Sequence, residues 1–286
     1  MKTSVFAAFF LILTALLCSS SAAAAGICIS PESVYQGRTF SVTITGENLS
    51  SAQAGFLGKE IPFYSAEGRL HTIIGVSASA PSGQHPVKIT VADMSGNTED
   101  HTAYIYVRPY KFQAEKLLFP PQKKGKLTAE KIYGDQQTLE EVLRTWTGER
   151  FWQSSFILPL KGKVTSPFGA YRLYNEKRLG DHRGVDIGGN PAGTPIKATN
   201  SGVVAFANPL PAYGSTVVID HGQGVHSIYM HLSKTLVKAG QFIDKGTVLG
   251  RVGSTGISTG PHLHWGISIH DTRVDPISWI NSAKRY

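Results

Sequence analysis

The sequence predicts an all-β protein of two domains, an immunoglobulin-like β-sandwich followed by a second strand-built domain. Three observations carry that expectation. Short segments alternate apolar and polar residues with a period of two, as half-buried strands do. Glycine (30 residues) and proline (15) are plentiful and cluster between those segments, where turns are needed. Helical periodicity is confined to one brief stretch near the middle. At 286 residues and 41% hydrophobic content, the chain can bury a sizeable core.

Residues 1–25 read as a secretory signal peptide. Lys2 precedes an apolar run from Val5 to Leu17, and the small residues of "CSSSAAAAG" place cleavage near Ala24 or Ala25. The run is too short to span a bilayer comfortably, and no later stretch is long enough, so no transmembrane segment is expected in the mature chain. Cys18 follows Leu17 and Cys28 follows Ile27, neither of them the small residue that lipid attachment would want. Loss of the signal leaves Cys28 with no partner for an internal disulfide. The expected location is the periplasm or the extracellular cell envelope.

Residues 28–108 form the expected sandwich. Phe40, Val42 and Ile44 alternate with Ser41 and Thr43; Val87, Ile89 and Val91 alternate with Lys88 and Thr90; Ala103, Ile105 and Val107 share a face. His71, His85 and His101 are scattered here without ligand spacing and read as ordinary surface histidines. Residues 109–157 form a linker with a short helix. "FPPQKKGK" is a polar break, and "TLEEVLRTW" offers a capping box at Thr138 and Glu141, with Leu139, Val142, Leu143 and Trp146 on one face. From residue 158 to 286, strand patterns return in "GVVAFA", "STVVID", "HSIYMHL", "TVLGRVG" and "HLHWGISI".

The chemistry sits in three glycine-bounded stretches of this last part. "DHRGVDIGG" supplies His182 and Asp186, "SIYMHLS" supplies His231, and "GPHLHWG" supplies His262 and His264. Positions two apart on a strand face one way, as do positions four apart on an extended segment, so His262 pairs with His264 and His182 with Asp186. Histidines and a carboxylate suit zinc, whose catalytic sites take three protein ligands and keep one open position. The His-Glu-x-x-His helix is absent, so a zinc site must be built from strands and loops. His221 begins a turn and reads as structural, while His226 and His270 carry no functional signal.

From "SPFGAYR" through "HRGVDIGG", "GTPIKATNSGVV", "YGSTVVIDHG", "YMHLS", "VKAGQFIDKGTVLGRVGSTGISTGPHLHWGI" and "VDPISWI", the sequence resembles the lysostaphin-type (LytM-like) zinc metallopeptidases, which are peptidoglycan endopeptidases. The resemblance covers roughly residues 160 to 280 and implies a compact antiparallel β-sheet peptidase domain with a groove between loops. It implies that His182, Asp186 and His264 hold one zinc ion per chain, and that His231 and His262 are the catalytic pair, general base and transition-state stabiliser in an order left open. Arg172 and Asn175, on the loop before His182, are candidate substrate contacts. "FGAYR" is one residue longer than the commoner spacing, and Ser227 replaces a usual threonine.

The function implied is an exported endopeptidase cutting peptide bonds in peptidoglycan stem peptides or cross-links. The alternative is a non-catalytic wall-binding or amidase-activating protein on the same fold. The formal charge of +8, spread without a polybasic block, suits an acidic wall polymer. No nucleic acid is expected, and the N-terminal domain offers a surface to an envelope protein partner.

Overall fold

In the strand Thr39–Thr45, Phe40, Val42 and Ile44 are fully buried while Ser41 and Thr43 are not, as their alternation requires. The same rule orders the first third of the chain in the computed structural model, which describes residues 25–116, 128–153, 155–174 and 177–286. The expected signal segment before Ala25 lies outside these residues. Two sheets face each other. One runs Gly26–Ser30, Thr39–Thr45, Arg69–Gly75, Tyr64–Ala66; the other runs Ser33–Tyr35, Thr98–Arg108, Gly83–Asp93, Leu49–Phe56, Lys59–Pro62. Phe40, Ile44, Phe56, Ile74, Ile89 and Ile105 close the core between them. His71, His85 and His101 are partly buried rather than fully exposed. Cys28 is an exposed free thiol.

The helix is longer than its signal. α1 spans Ala129–Leu143 and is capped by Thr128, whose hydroxyl accepts from the Lys131 N–H at 3.3 Å. Thr138, the expected cap, lies inside the helix and donates to the Gly134 carbonyl at 3.1 Å. The apolar face was the better guide: Leu139 and Leu143 are buried against Leu210, Val218, Ile228 and Met230. The following segment packs tightly, with Trp152 and Phe156 meeting Trp279 edge to face.

The C-terminal half is organised by one antiparallel sheet. Its strands are β1 (Lys163–Ser166), β2 (Val185–Gly188), β3 (Gly202–Leu210), β4 (Gly214–Asp220), β5 (Val225–Leu232), β6 (Phe242–Ile243), β7 (Leu263–Ile269) and β8 (Thr272–Val274). They lie in the order β1-β2-β7-β5-β4-β3-β6, with β8 beside β7. A short helix absent from the expectation, α2 (Pro276–Ser282), follows β8. Asp275 caps it and Pro276 fills its first turn, a start signal that its seven-residue length concealed. Among the described residues no helix is long and apolar enough to cross a membrane.

The sandwich touches the sheet domain through the β7–β8 turn. Lys59 donates to the carbonyls of His270 and Asp271 at 3.3 and 2.8 Å, and Tyr64 stacks on the His270 ring with centroids 6.0 Å apart.

Candidate active site

Register brings the first two site residues together. Asp186 of β2 stands directly opposite His264 of β7, so both side chains leave the same face of the sheet. Met230 of β5 is the next partner of His264 on that face, and Ile228 pairs with Gly266. α1 covers the Ile228–Met230 part of this face through Leu139 and Leu143, and a cleft of about 200 Å³ remains beside it, lined by His182, His231 and His264. His182 enters just before β2, held by backbone bonds to Gly169 and Ala170.

The donor atoms form a small triangle. His264 Nδ1 lies 2.9 Å from Asp186 Oδ1, His182 Nε2 lies 3.0 Å from the same oxygen, and the two nitrogens are 2.9 Å apart. His182 Nδ1 is 3.0 Å from the Pro167 carbonyl and from Ser166 Oγ, whose own proton goes to Glu115 at 2.5 Å. Both partners can only accept there, so Nδ1 carries the hydrogen and Nε2 presents a lone pair. Lone pairs and a carboxylate converging this closely suit a cation. A tetrahedral ion with ligands at about 2.0–2.1 Å separates them by about 3.4 Å, a small outward adjustment from what is seen. Among the described residues, this is the group of His, Cys, Asp or Glu side chains able to share a metal.

Gly184 makes the approach possible. A Cβ there would stand 2.5 Å from the Trp265 carbonyl and 2.7 Å from His264 Nε2, inside both.

His262 precedes β7 and reaches the same place, with Nε2 3.7 Å from Asp186 Oδ1. His231 arrives by a different device. Strict alternation would send it to the face opposite Met230. Two β4 residues, Ser215 and Val217, bracket a register shift against Leu232 and Tyr229, and His231 takes φ +64°. The bulge turns its ring toward His262, with centroids 4.9 Å apart. His231 Nδ1 donates to the Thr255 carbonyl at 2.9 Å, and His262 Nδ1 to the Gly260 carbonyl at 2.9 Å. Each therefore leaves Nε2 as an acceptor.

Burial sets the charge states. It lowers His231 to about 3, helped by His262 and His264, and lowers His264 to about 4. Both rings are neutral at pH 7, as ligands and bases must be. Burial would raise Asp186, but the His182 and His264 rings hold it well below the usual carboxylate range.

Of the candidate substrate contacts, Arg172 is committed elsewhere. Its Nη2 meets Asp186 Oδ2 at 2.7 Å, which leaves Oδ1 for the triangle. Asn175 lies outside the described residues. The three remaining histidines of the sheet domain are buried. His221 bridges the Ser201 carbonyl and Ser227 Oγ, His226 meets the Thr145 carbonyl, and His270 sits between Tyr64 and Trp146. Sequence reading missed Tyr213, Ile257 and Arg273 in the cleft wall. None carries a spacing signal, because packing from separate turns places them.

A solved Pseudomonas aeruginosa structure assigned to peptidase M23 is 30% identical to this chain, with a TM-score of 0.64, over 86% of this chain and 94% of that one. Residues 180–276 match the sequence profile described as Peptidase family M23. The chain belongs to peptidase family M23. The matched M23 segment contains all three triangle residues and both neighbouring histidines. Curated relatives include the DD-carboxypeptidase/endopeptidase Mpg of Neisseria meningitidis, 42% identical over 119 residues, and the peptidoglycan DD-endopeptidase ShyA of Vibrio cholerae, 40% identical over 116 residues. These alignments take in 41% and 40% of this chain but only 26% and 27% of those relatives.

Proposed function

We propose that this chain is an exported zinc metalloendopeptidase that hydrolyses peptide bonds in peptidoglycan stem peptides or cross-links. The observation that carries the proposal is the His182–Asp186–His264 triangle with two further imidazoles beside it. Relatives named as DD-endopeptidases over the matched segment support the same substrate class. The non-catalytic alternative leaves a complete ligand set and two correctly polarised histidines without a task.

His182 Nε2, Asp186 Oδ1 and His264 Nδ1 would hold the ion. Bound zinc supplies Lewis acidity toward the scissile carbonyl and lowers the pKa of water to about 7. The chain supplies the proton path. His262 Nε2, fixed as an acceptor by the Gly260 carbonyl, takes a proton from the attacking water. His231 Nε2, fixed by Thr255, is the second acceptor across the cleft. Whichever ring becomes protonated then faces the leaving amine as a donor. Arg172 keeps Asp186 turned so that one oxygen serves the ion. On this reading residues 158–286 carry the catalytic groups, the helix before them walls the cleft, and the sandwich at 28–108 meets wall or an envelope protein.

Digestion of purified peptidoglycan followed by mass spectrometry of the fragments, with and without chelator, tests this reading. New amine termini within the peptides, lost on chelation and restored by zinc, are expected. Chelator-insensitive cleavage, or none, rejects it.

A further inference from the structure

Three acids near the cleft already have cations, and Asp181 in its wall has a contact of its own. Asp186 takes Arg172 at 2.7 Å, and Glu140 takes Arg183 at 3.6 Å and Arg144 at 3.8 Å. Asp271 takes Lys59 and Arg144, each at 3.7 Å. Arg273 lines the same cleft and, among the described residues, has no ion pair or hydrogen bond to its guanidinium. It is only partly exposed, and burial brings its pKa down to about 10, so it stays cationic at neutral pH. Such a group is costly to shield from water unless an anion meets it.

Its position is defined by register. Arg273 on β8 stands opposite Ser268 of β7. His264, Gly266 and Ser268 share one face of β7. Arg273 Nη1 lies 3.5 Å from where a Cβ on Gly266 would stand, so the side chain runs back along that face toward His264. Gly266 and His264 are two positions, about 7 Å, apart along the strand, the span of two extended peptide residues. Tyr213 and Arg183 are the neighbours that most affect it, and Arg183 is already paired with Glu140.

We propose that Arg273 is a specificity residue that receives a free carboxylate of the substrate within about two residues of the scissile amide. The proposal rests on the hydrolase reading above and deepens it. The substrate class is a peptide with an unamidated acid group within two residues of the cleaved bond. A planar fork with its donors unengaged matches a carboxylate in two-point geometry, which an ammonium group cannot reproduce.

The test uses a pair of otherwise identical wall peptides, one with the flanking group as a free acid and one as its primary amide. With the zinc-loaded full chain, kcat/KM for the acid should exceed that for the amide by about tenfold or more, a ratio typical of one charge-assisted pair. Arg273→Gln should bring the ratio near one by losing turnover of the acid alone, mainly through KM, with zinc content and Tm unchanged. Arg273→Lys should keep part of the preference. An acid-to-amide ratio near one in the unaltered protein, or an equal loss on both peptides in Arg273→Gln, overturns the proposal. If Arg273→Gln does not fold, the unaltered protein and Arg273→Lys decide it by the same ratios. If neither peptide is cut, the hydrolase reading fails separately. Calorimetric titration with the same pair then decides: tighter binding of the acid that Arg273→Gln removes supports the site, and equal binding rejects it.

Discussion

The strands Gly83–Asp93 and Val225–Leu232 are both antiparallel and both carry histidine, yet water treats them differently. In the first, Val87, Ile89 and Val91 are buried while Lys88 and Thr90 face solvent. In the second, every residue is buried. Val225, Tyr229 and Leu232 meet the main core on one side, and Ile228 and Met230 meet α1 on the other. Coverage on both faces removes the solvent that would satisfy a polar side chain, so each must find a partner within the protein. His221 does so with Ser201 and Ser227. His182 and His264 face another lone pair and a carboxylate instead, an arrangement that a cation completes. The comparison teaches that in this chain a one-sided sheet supports and a two-sided sheet concentrates chemistry.

The sharpest way to break the comparison is His264→Ala. It should abolish both zinc retention, read by metal analysis of the purified protein, and peptidoglycan hydrolysis; persistent hydrolysis rejects the ligand set. Next comes His262→Ala, which should keep zinc and lower kcat by about 10²–10⁴-fold, the range for losing a general base. An unchanged rate removes its role. Arg172→Met should weaken zinc affinity by about 10–100-fold in competition with a chelator, because Asp186 loses the group that orients it. At the supporting end, Ile89→Ala in the sandwich should lower stability by about 2–5 kcal/mol in denaturant titration while zinc content and kcat of the folded protein hold. A matching loss of activity would mean that the two regions are not separable in this way.

The two-sided sheet should also show itself in pH. Burial lowers His221 to about 4 and His270 to about 3. The unfolded chain binds protons at these side chains below about pH 6.5, whereas the folded chain does not. The folded state therefore loses stability as pH falls through that window, at up to about 1.4 kcal/mol per pH unit for each histidine. Melting of the chelated protein should drop between pH 7.5 and 4.5, and His221→Gln should shallow the slope. A flat Tm across that range contradicts the burial of these rings.

Legibility followed the same divide. Phe40, Val42, Ile44, Val87, Ile89 and Val91 can be read from alternation because one face meets water. Leu139 and Leu143 reveal α1 by their shared face, but its start at Thr128 lies ten residues before the capping pattern that stood out at Thr138. His182, Asp186 and His264 have spacing that suggests convergence, and the family resemblance named them as a set. His231 could not be reached by alternation, since a bulge reverses its direction. Arg172 sat in the right loop, but only side-chain geometry commits it to Asp186.

The sequence by itself determined the all-β class, the apolar faces, and which short stretches carry imidazole and carboxylate, because strand periodicity and residue chemistry are local properties. Tertiary structure decided the rest. Register set Asp186 opposite His264, α1 covered one face of the sheet and left the cleft at its edge, and ion pairing elsewhere left Arg273 unmatched. Those outcomes depend on residues far apart in the chain meeting at a few ångströms, and no local pattern encodes such distances.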